Sequence, residues 1–145
     1  MELIFVRHGR PEHVVEMEGS ADPGLADVGH EQAQQVGTWL LNAQIDALYV
    51  SPMQRARQTA APFAALSGMT AVVRDHLREF DHEGSSYVPT EVLKAIDPDG
   101  YRERIASGFL DEGFDQVQFL ADVVGAVDRI VGDHRVPDRL HRSHD

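Results

Sequence analysis

Ile45-Asp46-Ala47-Leu48-Tyr49-Val50-Ser51-Pro52-Met53-Gln54-Arg55-Ala56-Arg57-Gln58-Thr59-Ala60 is the stretch whose reading decides the fold. Residues 45–50 are aliphatic and aromatic enough to form a short strand. Ser51-Pro52 ends it and opens a helix, because a helix's first turn leaves its N–H groups unbonded and proline has none to offer. That helix is expected to run to about Leu66, where Ser67-Gly68 stops it. Residues 70–73 are β-branched enough for a further strand, after which the chain reaches Leu77-Arg78-Glu79. Upstream, the short apolar run 2–6 ends at Arg7-His8-Gly9 and reads as a buried strand entering a tight loop. Between these strands, Ala33, Val36, Leu40 and Ala43 recur at helical spacing over residues 27–43, with Trp39 expected in the core. Strand and helix alternate, which predicts an α/β fold with a mostly parallel central sheet.

Downstream the pattern weakens. Gly84, Pro89, Pro98 and Gly100 interrupt residues 80–113, leaving short helical pieces around 92–96 and 101–106, so a lid-like insertion is expected there. Val117, Leu120, Val124, Val127 and Val131 then alternate spacings of three and four, predicting an amphipathic helix over 115–132. Residues 133–145 hold His134, His141, His144 and three arginines but almost nothing apolar. They read as a polar tail, disordered rather than metal-binding, behind a single domain over 1–132.

The chain has 145 residues, of which 42% are hydrophobic, enough for one core. It has no cysteine, which removes thiol chemistry, disulfides and Cys-based zinc sites. The N-terminal apolar run is too short for a signal peptide or membrane span, so a cytoplasmic location is expected. Lys plus Arg total 13 against 24 Asp plus Glu, a net charge of −11 that repels nucleic acid and anionic membranes. An anionic small molecule would also be repelled at long range, so an anion site needs arginines clustered locally.

Three positions invite chemistry. His8 follows the first strand, Arg55 lies in the first turn after the second, and Glu79 follows the third. Ligand sites in open α/β sheets form beyond the carboxyl ends of strands, and a helix N-terminus with a guanidinium suits an anion. Three strand ends would thus bring Arg7, Arg55, an imidazole and a carboxylate together. His13, His30, His76 and His82 lack metal-ligand spacing and default to solvent; no metal or cofactor is expected.

The chain resembles the histidine phosphatase superfamily, in its phosphoglycerate mutase-like branch. Four stretches carry the resemblance: Phe5-Val6-Arg7-His8-Gly9-Arg10; Asp22-Pro23-Gly24-Leu25 with Gly29 and Gln32-Ala33; residues 49–60 above; and Leu77-Arg78-Glu79. It covers residues 2 to about 80 well, and the helix up to His134 more loosely. It implies a three-layer αβα fold, with His8 as the nucleophile that becomes phosphohistidine. Arg7 and Arg55 would grip the phosphate oxygens, and Glu79 would protonate the leaving oxygen.

The family's second histidine follows a fourth apolar strand in a Ser-His-Gly context, whereas Ser143-His144-Asp145 ends this chain. His144 is the candidate equivalent, but the polar run 136–142, with Pro137, makes a poor central strand. On that count the chain resembles a version shortened at its C-terminus. A second copy could then cover an exposed sheet edge as a homodimer.

The implied function is a metal-independent phosphomonoester hydrolase taking a small phosphorylated substrate. Two alternatives stay open: a non-catalytic remnant that binds phosphate, and a mutase-type phosphotransferase. Val14 stands where the family's mutases tend to carry asparagine, which argues against a glycolytic mutase.

Overall fold

The computed structural model describes residues 1–14, 21–79, 86–107 and 115–134. The chain divides into two compact units, Met1–Phe114 and Asp115–Asp145. In the first, helix α1 spans Asp27–Leu40, strand β1 Leu48–Val50, helix α2 Gln54–Ser67 and strand β2 Ala71–Val73. A 3-10 turn over Asp75–Leu77 and helices α3, Thr90–Ile96, and α4, Pro98–Ala106, follow.

β1 and β2 pair in parallel, with Leu48 opposite Ala71, Tyr49 opposite Val72 and Val50 opposite Val73. Parallel neighbours need a long crossover, which α2 supplies. The Arg74 N–H donates to the Val50 carbonyl at 2.9 Å, carrying the pairing one bond past β2. The α/β alternation read around residues 45–73 is therefore present, with each element within a few residues of its expected limits. Gly68, at φ 73°, ends α2 in the left-handed conformation.

The strand expected over residues 2–6 is not formed. Among the described residues the sheet has two strands, and Leu3, Ile4, Phe5 and Val6 are 41–77% exposed. An apolar run records a tendency to be buried, but a strand also needs a neighbour to receive its backbone hydrogen bonds. Two strand ends, not three, therefore lead toward the site.

α1 packs against α2. Its buried residues are Gly29, Ala33, Gly37 and Leu40, so the inward stripe runs through two glycines. A Cβ at Gly37 would lie 3.0 Å from the Phe63 nitrogen, so the absence of a side chain there lets the helices approach closely. Phe63, Leu40, Ala33, Val50 and Met53 form the core of this unit, and burying Phe63 contributes about 2–3 kcal/mol. Trp39, expected in this core, is instead 62% exposed. The bulkiest apolar residue is not on the stripe because close helix contact favours the smallest side chains.

In the second unit, α5 spans Gln116–Asp133, one residue later at each end than its periodicity predicts. Asp115 caps it, accepting from the Gln118 N–H at 2.9 Å. Its last residue is the first of the expected polar tail, of which residues 135–145 lie outside the described ones. The same holds for the ends of the expected insertion, 80–85 and 108–113. No described helix is long and apolar enough to cross a membrane.

Candidate active site

His8 sits on a loop fastened to α1 and α2 of the first unit. The Gly9 N–H donates to Thr59 Oγ1 at 3.0 Å, and that hydroxyl donates to the Arg55 carbonyl one turn earlier in α2 at 2.7 Å. On the α1 side, the Arg10 N–H donates to Gln32 Oε1 at 2.9 Å and the Ala26 N–H to the Arg10 carbonyl at 3.0 Å. Gly29 allows this docking: a Cβ there would collide with the Arg10 carbonyl oxygen.

The imidazole lies between two acceptors. Nδ1 is 2.8 Å from the Gly9 carbonyl oxygen, and Nε2 is 2.8 Å from Glu79 Oε1. A proton on Nδ1 satisfies the first contact and makes Nε2 the nitrogen available for chemistry. The second contact then needs a further proton, shared between Nε2 and the carboxylate.

Arg55 is 1% exposed, the most completely buried large side chain described. Its Nη2 donates to Glu79 Oε2 at 2.7 Å and its Nη1 to Asp22 Oδ1 at 3.4 Å. Its Nε is buried with no hydrogen-bond partner among the described residues, and its guanidinium lies over the Tyr87 ring, 4.6 Å from the centroid. Asp22 also caps α2 from outside, accepting from the Gln54 N–H at 2.9 and 3.0 Å through its two carboxylate oxygens. Glu79 follows the 3-10 turn and bridges His8 to Arg55. Burial by itself would raise its pKa, but the hydrogen bonds from His8 and Arg55, with their charges, outweigh that and hold it at about 2.

Of the residues singled out in the sequence, His8, Arg55 and Glu79 are thus in direct contact. Arg7 is exposed and borders, with His8, Gln32, Trp39 and Thr59, a cavity of about 470 Å³ that neither Arg55 nor Glu79 lines. His144 lies outside the described residues. Among the described residues, no group of three or more His, Asp or Glu could hold a metal ion.

Sequence reasoning gave no role to Thr59, Asp22 or Tyr87. The i, i+4 spacing of Arg55 and Thr59 on one helix was a usable signal for the first. Asp22 stood inside a quoted motif without a partner to suggest its task, and nothing local marks Tyr87.

Residues 3–145 match the histidine phosphatase superfamily (branch 1), and the chain belongs to that family. A Schizosaccharomyces pombe protein named as a probable phosphatase is 33% identical over 113 residues, covering 73% of this chain and 54% of the relative. Phosphoserine phosphatase 1 of Hydrogenobacter thermophilus is 30% identical over 104 residues, covering 70% of this chain and 49% of the relative. The chain thus spans about half the length of these curated relatives. Among solved structures, mycobacterial glucosyl-3-phosphoglycerate phosphatase in complex with VO3 superposes with a TM-score of 0.66 at 22% identity. That match covers 88% of this chain and 65% of the other, and it speaks for the fold.

Proposed function

We propose that this chain hydrolyses small phosphomonoesters through a phosphohistidine formed on His8. One relay carries the reading: His8 Nε2 is 2.8 Å from Glu79 Oε1, and Glu79 Oε2 is 2.7 Å from Arg55 Nη2. A substrate phosphate competes with Glu79 for the guanidinium. As the carboxylate yields, it leaves with the proton it shared with His8, and this one transfer prepares both reactants.

Nε2 attacks phosphorus with its freed lone pair, the P–O bond to the leaving oxygen breaks, and that oxygen takes the proton from Glu79. Water then attacks the phosphohistidine and gives a proton to Glu79. The N–P bond breaks, its electron pair returns to the imidazole, and inorganic phosphate departs. Separation from Arg55 and proximity to phosphate raise the Glu79 pKa toward the range a proton donor needs. Guanidinium groups compensate the charge on the equatorial oxygens, so no step calls for a metal. Arg55 does this from its buried position, Arg7 by reaching in from the exposed side of His8, and His144 is the second histidine of the scheme. The names of the family relatives, a probable phosphatase and a phosphoserine phosphatase, support the reaction class.

The test is release of product from a chromogenic phosphomonoester in EDTA, comparing the parent with His8→Ala and Glu79→Gln. Loss of turnover in both, with radiolabelled phosphoprotein that survives alkaline but not acid quench in the parent, is expected. Equal rates for His8→Ala and the parent remove the idea.

A second reading is a family member that binds phosphate without turning substrate over. It is favoured by Glu79 already occupying Arg55 and by the cavity beside His8, which Arg7 borders and Arg55 does not. It predicts phosphate binding that depends on Arg7 and Arg55 with no hydrolysis, so robust turnover excludes it.

A further inference from the structure

We propose that Tyr87 is a positioning residue for the phosphate-binding arginine, its ring face holding the Arg55 guanidinium in place once Glu79 gives way. The inference rests on the reading that Arg55 binds the substrate phosphate.

A buried arginine is costly unless its charge is met, and Arg55 has few partners. Among the described residues its short charge contact is to Glu79 at 2.7 Å, the Asp22 contact is long at 3.4 Å, and Nε has none. Phosphate must replace Glu79, so at the moment of binding the guanidinium would be held from the protein side by Asp22 and by whatever covers its flat face. That face lies over the Tyr87 ring, 4.6 Å from the centroid and within the range of a cation–π contact.

A ring has an advantage that a third carboxylate would lack. It attracts the cation through its quadrupole without adding negative charge, so the positive charge of Arg55 stays available to an anion. In a chain with a net charge of −11, that distinction matters.

Tyr87 is itself held firmly. Its N–H donates to the Val14 carbonyl at 2.8 Å, and its carbonyl accepts from the Val14 N–H at 3.0 Å, an antiparallel clamp. A second tie joins the same two segments, from Arg10 Nε to Glu91 Oε1 at 3.1 Å. The segment that carries His8 therefore also anchors the ring that covers Arg55, so nucleophile and phosphate grip are placed by one piece of backbone.

The experiment measures orthophosphate affinity of the full chain by titration calorimetry, for the parent, Tyr87→Phe and Tyr87→Leu. Tyr87→Leu is expected to weaken binding about tenfold or more, while Tyr87→Phe, which keeps the ring face, stays within about threefold. Because Tyr87→Leu could disturb folding, a second series places phenylalanine, difluorophenylalanine and pentafluorophenylalanine at position 87. Fluorine drains the ring face at little cost in shape, so affinity should fall stepwise while the melting temperature holds. Affinity that is flat across the fluorinated series overturns the role of Tyr87, provided Arg55→Met still abolishes binding. Absence of phosphate binding, or binding indifferent to Arg55→Met, overturns the phosphate-site reading and the role of Tyr87 with it.

Discussion

Gly9 and Thr59 are joined across 50 residues of sequence by a buried hydrogen bond, the Gly9 N–H donating to Thr59 Oγ1 at 3.0 Å. Through it the loop that carries His8 hangs on the helix that carries Arg55. Thr59→Val keeps the shape but leaves the N–H without an acceptor, which costs about 1–3 kcal/mol. Urea denaturation should show that loss. Turnover should fall further than stability does, because a small displacement of His8 spoils the attack geometry. Thr59→Ser should restore both, and a Thr59→Val protein as stable as the parent counts against the bond.

Asp22 holds the first turn of α2 from a distant loop. Replacing it with alanine removes the acceptor for the Gln54 N–H and should lower stability by about 1 kcal/mol, read by thermal denaturation. Asp22→Asn keeps one acceptor and should recover most of the loss. If alanine and asparagine lose equal stability, the capping explanation fails.

Glu79 links stability to acid pH. Its pKa is about 2 in the folded protein against 4.5 ordinarily, so the folded state favours the ionised form. The resulting stabilisation is complete above about pH 4.5 and is lost as pH falls toward 2. Glu79→Gln has no such group to titrate, so its stability should vary less across that window. Parallel stability-against-pH curves for parent and variant would refute the linkage. The carboxylate is partly exposed, which limits the size of the effect.

Gly29→Ala forces a methyl group into the Arg10 carbonyl oxygen, whereas Gly132→Ala in α5 meets nothing within 4 Å. The first should destabilise by about 1–3 kcal/mol and depress turnover. The second should be neutral or stabilising by roughly 0.5–1 kcal/mol. Denaturation of the two variants side by side checks the contrast, and a harmless Gly29→Ala would mean that the loop does not depend on this close approach.

Where the sequence reading worked, the information was local. Ser51-Pro52 marked the change from strand to helix, Ser67-Gly68 marked its end, and the valine spacing of α5 placed that helix to within a residue. Where it failed, the missing information was a neighbour. Residues 2–6 have the composition of a strand but no partner among the described residues, and Trp39 lost its place to Gly37 because α2 lies too near for a large side chain.

Taken alone, the order of residues determined the α/β alternation and nominated His8, Arg55 and Glu79, since turn chemistry, periodicity and short motifs are written in consecutive positions. Only the tertiary structure decided that these three touch, that Asp22 caps a helix beginning 32 residues later, and that Tyr87 covers Arg55. Hydrogen bonds and cation–π contacts act over a few ångströms, so they exist only once distant parts of the chain have been brought together.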